Sequence, residues 1–411
     1  MKLAFLTATA LVIGLSATAP TALCAGRVWT VAGLTVGADF TEAQAAIDAA
    51  SDGDIIVVID GHFGFLTIDG KSLTLIRDPA GFTEPAFFGL TIRNIGAQQK
   101  VMIRDLWFGS NNVHLNPVDV VNCAGPVLLE ECEMELRVTN SASVVVSRGV
   151  LRGSTTSGFT NPWVTIHPAL RVENSGCSIY DVAMFGGSGG SAGVPLFGGP
   201  PVSSEAGIPA IEFVSGSLFL ARCTLEGGRG GNGAFENGTC LPSSDGAPAI
   251  VVGGTLRSME TTFTAGIAGI DAGGCPQFGV TPPAVVVTTG SMSTIVDTTR
   301  RLWVSALAKL PDTVTTWVRG QPGEAAVLFV SAVPSGAFVP GLKGAFVCAA
   351  PMLVLPLGPI GATGEILFQT PVASSDLPAS LDGVELYEQF AVAGASGTGL
   401  LSSPSFLVLT H

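Results

Sequence analysis

The sequence predicts an all-β chain: a parallel β-solenoid of short repeated coils, followed by a small antiparallel β-sandwich. Three observations lead there. Glycine (53) and proline (26) are abundant while charged residues supply only 12%, a composition of strands and turns rather than of helices, which draw on Glu, Lys and Arg. An eight-residue pattern recurs loosely between residues 101 and 263, with apolar or small residues mostly at its first, third, sixth and eighth positions. Beyond residue 300 the pattern is lost, and alternating apolar segments between Pro/Gly turns replace it.

Residues 1–25 read as a cleaved signal peptide. Lys2 supplies the positive start, residues 3–15 the apolar stretch and residues 20–25 the small-residue exit, with Ala25 as the last residue before cleavage. Thr21 stands where lipidation of Cys24 would need an aliphatic residue, and the apolar run is too short to span a bilayer. The chain is therefore expected to be secreted or displayed at the cell surface, with no membrane span once mature. Its formal net charge of −13 and the absence of any Lys/Arg cluster argue against nucleic acid as a partner.

The segment 39–76 organises the chain. Asp39 and Glu42 suit a capping box, Ala43, Ile47 and Ala50 share one helical face, and Gly53 suits a helix stop. Three brief strands follow, punctuated by Gly61, Gly64 and Gly70. A helix this short needs apolar surface to cover.

The repeats then run through 101–108, 127–134, 144–151, 177–184, 218–225 and 256–263. The jump from third to sixth position shifts the in/out alternation, as a two-residue corner between strands would. A further short strand begins at Pro209, Pro248 and Pro283, where the missing donor lies outside the ladder. Three short strands per repeat, with insertions at one corner, describe a solenoid coil. The insertions 185–207 and 226–246 are Gly-rich, and all are expected to stack along one side.

At this point the residues resemble a known family. The FTEAQAAIDAASDGDIIVV passage and the following GKSLTL look like the N-terminal cap and first coil of right-handed parallel β-helix proteins with the pectin-lyase-like fold. The resemblance covers about residues 28–300, and the C-terminal part resembles sandwich modules of secreted bacterial proteins. After the signal peptide (1–25), it implies a capped right-handed β-helix (26–300) and a β-sandwich-like domain (301–411). It implies that the helix covers the open N-terminal edge, with the sandwich doing similar work at the other end. It also raises polysaccharide lyase and glycoside hydrolase activities.

The chemistry those activities need is sparse here. There is no Asp-Asp pair, and His62 reads as a polar turn residue. Asp105 and Asp181 are the candidate catalytic carboxylates; both sit at the fifth repeat position, in a column running Asp105, Glu131, Arg148, Asp181, Arg222, Glu260. That column reads as exposed corner charges in a left-handed backbone that Asp tolerates. Trp107, Phe185, Phe197, Phe235 and Phe278 are the candidate sugar-stacking aromatics. Cys132 and Cys223 point inward as free thiols, while Cys240 and Cys275, in corresponding insertions, are the expected disulfide. No CxxC pair supports zinc, and no cofactor is expected. The expected function is a secreted, non-catalytic scaffold that binds glycans, surfaces or proteins through its Gly-rich side. The alternative is a polysaccharide lyase or glycoside hydrolase.

Overall fold

The computed structural model describes residues 26–410 except 82, 110–116, 155–166, 194–202, 237, 273–274, 276–278, 297–299, 306, 339–341, 351, 374–382 and 394–398. The signal-peptide reading of residues 1–25 lies outside these. No helix among the described residues is long and apolar enough to cross a membrane.

Residues 28–294 wind a parallel β-helix. Among the described residues its first sheet has ten parallel strands, from Val28–Ala32 to Ser291–Thr294, and its second has thirteen. The first repeat position forms one column: Val101, Val127, Val144, Cys177, Leu218 and Leu256 are register partners in that order. The alternation of β-branched and aliphatic residues therefore stacks like on like, and the inward positions merge into one continuous core. At the corner, the fifth-position residues take left-handed backbone, with φ between 47° and 56° from Asp105 to Glu260. A second left-handed corner holds Asn94, Asn122, Asn140 and Asn174. Asn174 and Asn140 each donate a side-chain amide to the asparagine one coil before, at 2.9 and 3.3 Å.

The one helix among the described residues, Ala43–Ala49, tucks Ala43, Ala46 and Ile47 into the core. Its ends are not secured as the sequence suggested. Glu42 is the N-cap without a side-chain hydrogen bond, and the Asp39 carboxylate instead accepts from the Thr30 amide and hydroxyl, both at 2.9 Å. At the other end, Lys71 Nζ donates to the carbonyls of Ile47, Asp48 and Ala50 at 2.9–3.0 Å. A cation on orphan C-terminal carbonyls does what Gly53 was expected to do.

The C-terminal residues form a three-stranded antiparallel sheet (Arg301–Val304, Asp312–Arg319, Glu365–Val372) and a larger mixed sheet containing Ala325–Ser331, Val384–Ala393 and Ser405–Thr410. The two share a core of Leu302, Val304, Val318, Phe390 and Leu407.

This region lies along the flank of the β-helix rather than at its far end. The reason is the outward side of the first sheet, where Met102, Leu128, Val145 and Phe219 form an apolar strip that water would otherwise meet. Tyr387, Phe406 and Val408 cover it. The same docking half-buries the middle of the corner column, Glu131, Arg148, Asp181 and Arg222, while Glu260 stays exposed as expected, and it buries the neighbouring Arg104 and Glu130. Arg104, with no exposed side-chain surface, donates to the carbonyls of Val304 (3.0 Å) and Phe406 and pairs with Glu131 at 3.1 Å. Arg148 pairs with Glu130 and Glu131 and donates to the Leu302 carbonyl at 2.8 Å. Lys100–Glu385 and Lys309–Asp78 add ion pairs across the same seam.

Candidate functional site

The described parts of the Gly-rich insertions pack on one another, and their packing follows from a three-residue period. The sequence reads GGSGGSAG over 186–193, GGRGGNG over 227–233 and AGIAGID over 265–271, and residues 186–192, 227–233 and 265–271 are in neither helix nor strand. Amides three apart nevertheless bond to the next insertion. Gly186, Gly189 and Ala192 donate to the carbonyls of Glu226, Arg229 and Asn232 at 2.8–2.9 Å, and Gly227, Gly230 and Gly233 to those of Thr264, Ile267 and Ile270 at 2.9–3.0 Å. The adjacent glycines face the returning segments: Gly228 and Gly231 donate to Ile208 and Glu205, Gly266 and Gly269 to Ala247 and Ser244. A three-residue spacing with these hydrogen bonds made between segments resembles the polyproline-II repeat, which packs tightly only where glycine lines the contact.

The crowding is severe. A Cβ on Gly228 would lie 1.9 Å from the Gly187 carbonyl oxygen, and one on Gly231 would lie 1.9 Å from that of Gly190. Two positions of each triplet are thus committed to packing, and the third is free to vary. In the last layer it carries Ile267 and Ile270, both exposed. Beyond the second layer, the hairpin Ala234–Glu236/Thr239–Leu241 sets Phe235, 57% exposed, opposite Cys240. Cys240 is bonded to Cys275, with Cα atoms 5.7 Å apart, tying one insertion to the next.

The other sequence candidates fall in different places. Trp107 is half-buried on the second sheet, in register with Glu133. Phe185 lies on the same sheet, but the Arg152 guanidinium sits 5.0 Å above its ring while bonding Glu133 at 2.7 Å, so that ring face is occupied. Phe197 and Phe278 lie outside the described residues. His62 is exposed on the Gly64-containing strand His62–Asp69.

Asp105 and Asp181 are not brought together. Three coil steps separate them, roughly 14 Å at the strand spacing of a sheet. Asp105 lies 3.6 Å from Arg77, and burial raises its pKa. Asp181 accepts from Arg222 Nε at 2.6 Å and meets Arg301 at 3.2 Å. Their geometry is that of corner residues held by arginines. Cys132, Cys177 and Cys223 are buried thiols pushed up to about 12 by burial, and so are inert as nucleophiles.

Sequence reasoning missed an acidic group on the outward side of the second sheet. Glu135 has no exposed side-chain surface; one oxygen accepts from Arg137 at 2.9 Å, and Oε2 has no partner among the described residues. Burial pushes its pKa up to about 7 against the pull of Arg137. Asp119, the register partner of Arg137, is also raised by burial. The alternation in EMELRVT could have shown that Glu133, Glu135 and Arg137 share a face, but not that Glu135 is covered. Among the described residues no group of three His, Cys, Asp or Glu side chains is arranged to hold a metal.

No family model matches this chain, and no curated protein matches it. Solved structures similar in part include the following two. The enzymatically active domain of bacteriophage CBA120 tailspike protein 4 has a TM-score of 0.27 and 11% identity, over 87% of this chain and 64% of that one. The superoxide reductase (neelaredoxin) from Ignicoccus hospitalis has a TM-score of 0.17 and 7% identity, over 27% of this chain and 80% of that one.

Proposed function

We propose that this chain is an exported, non-catalytic β-helix scaffold that binds a glycan, on a polysaccharide or a cell surface, through its Gly-rich insertions. The observation that carries the reading is the insertion stack itself. It is a hydrogen-bonded platform that displays Phe235, Ile267 and Ile270 to solvent on neighbouring layers. Pre-ordered backbone lowers the entropy lost on binding, and exposed apolar groups on a fixed frame mark contact surfaces. In this reading residues 26–300 are a right-handed β-helix, the helix Ala43–Ala49 is its N-terminal lid, and residues 301–411 are a sandwich-like module.

The test is binding of the purified protein to a panel of neutral and acidic polysaccharides, with product analysis alongside. Saturable binding without new chain ends, weakened at least about tenfold by Phe235→Ala, is the expected result. Binding indifferent to Phe235 and to the insertion-stack glycines sinks the reading.

A second reading, a polysaccharide lyase or glycoside hydrolase, is favoured by one observation. Glu135 is a buried carboxyl with one oxygen free among the described residues and Asp119 diagonally across the ladder, roughly 7–8 Å between Cα atoms. A pair of carboxyl groups is the arrangement glycoside hydrolysis uses. New reducing or unsaturated ends that vanish in Glu135→Gln would establish it over the scaffold.

A further inference from the structure

We propose that the cleft between the β-helix corner and the C-terminal three-stranded sheet binds an anionic sugar, a pyranose ring carrying a carboxylate or sulfate. The cleft has two joined lobes of about 590 and 580 Å³, which share Arg222, Thr224 and Arg301. It is a separate site from the insertion stack.

One wall comes from the repeat. The seventh-position column runs in register from Trp107 through Glu133, Val150, Ala183 and Thr224 to Thr262. Its side chains are small where Ala183, Thr224 and Thr262 line the cleft, which leaves the space open and supplies two hydroxyls. The opposite wall is the outward face of the C-terminal sheet. There Trp303 lies directly across from Trp317, and Arg301 directly across from Arg319. Leu302, Val304 and Val318, on the other face of the same strands, fill the core, so the alternation commits both tryptophans and both arginines to the cleft side.

That arrangement is unfavourable without a ligand. Like charges directly opposite on neighbouring strands repel. Arg301 shares its carboxylate, Asp181, with Arg222, and Arg319 reaches Glu365 only at 4.0 Å. Arg222 is 8% exposed, and its Nη1 is buried without an acceptor among the described residues. Arg148 and Arg300, also on the lining, are bonded to glutamates. The lining that remains sets Arg222, Arg301 and Arg319 against Asp181 and Glu260, an excess of one positive charge that only Glu365, off the lining and 4.0 Å from Arg319, offsets, and it carries several N–H donors.

A ligand that answers all of this has one negative charge, a flat apolar face for tryptophan and hydroxyls for the threonine wall. A pyranose with one acidic substituent has these features. A nucleotide carries more charge than the wall offsets, and an acyl chain would leave the donors unanswered.

The experiment is titration of the purified protein with uronic-acid oligosaccharides, sulfated oligosaccharides and a matched neutral series, read by calorimetry and tryptophan fluorescence. The expected result is saturable binding of at least one acidic series, at least about tenfold tighter than the neutral one and weakened by salt. The series that binds identifies the anion. Arg319→Gln, at a side chain 57% exposed and so neutral to folding, is expected to lower affinity about tenfold. Trp303→Ala is expected to abolish binding, with Phe65→Ala, remote on an early coil, as the unchanged control. Equal binding of the neutral series, no binding of either acidic series, or wild-type affinity in Arg319→Gln would each overturn the proposal.

Discussion

Replacing Gly228 by alanine tests whether the insertions form one packed stack. The new Cβ would lie 1.9 Å from Gly187 O, 2.6 Å from Gly187 C and 2.8 Å from Ile208 O, all backbone atoms. An ordinary carbon–oxygen contact is about 3.3–3.6 Å, so the neighbouring segment must retreat by about 1.5 Å. That displacement disrupts three hydrogen bonds: Gly228 to Ile208, Ala247 to Gly228 and Ile208 to Gly187, at 2.8–2.9 Å. Overpacking costs about 1–3 kcal/mol and each lost hydrogen bond about 1 kcal/mol, which together give a destabilisation of about 4–6 kcal/mol of the stack. The assay is hydrogen exchange at residues 186–192 and 227–233 alongside denaturant unfolding. Gly64→Ala is the control, because nothing lies within 4 Å of its Cβ; it is expected to be neutral or mildly stabilising. If Gly228→Ala keeps wild-type amide protection and unfolds within about 0.5 kcal/mol of wild type, the packed-stack account is wrong.

Three further outcomes are expected. Arg148→Ala leaves Glu130 and Glu131 facing a buried seam with one fewer cation and should destabilise by about 3–5 kcal/mol in equilibrium unfolding, with the C-terminal region detaching first. Replacing both Cys240 and Cys275 by serine opens a cross-link between residues 35 apart and should cost about 2–4 kcal/mol, read as a lower melting temperature that reductant no longer changes. Glu388, pushed up to about 7 by burial, binds its proton more tightly folded than unfolded; its contribution therefore falls as pH rises from about 4.5 to about 7, by at most about 1.4 kcal/mol per pH unit. Glu388→Gln should flatten that part of the stability profile, and an unchanged slope would refute the assignment.

The inward positions of the β-helix were legible because their periodicity is local. A strand buries every second residue, so Val101, Ile103, Leu106 and Phe108 declare a facing direction and a corner from eight letters alone. The fifth-position column was legible for the same reason, and its left-handed backbone followed from the jump in alternation. The asparagine column was present in the same letters, at Asn94, Asn122, Asn140 and Asn174, but its distance to the next repeat varies, which hid it. The Gly-Gly-x period of the insertions was equally visible, and was passed over because a three-residue repeat has no core face to announce it.

What the letters could not carry was which outward residues stay outward. Met102, Leu128 and Val145 stand at positions that point away from the helix core, and whether they meet water or another sheet depends on residues some three hundred positions later. Glu135 and Glu388 are chemically ordinary glutamates whose protonation is set by what covers them. The cleft belongs to the same class: Arg222 and Arg319 are remote in the chain, and only the docking of the C-terminal sheet makes them neighbours. By itself the sequence determined the coil, because strand periodicity and turn chemistry act over a few residues. The tertiary structure alone decided the flank, the buried charges and the cleft, because burial is a property of surfaces that meet only after the chain has folded.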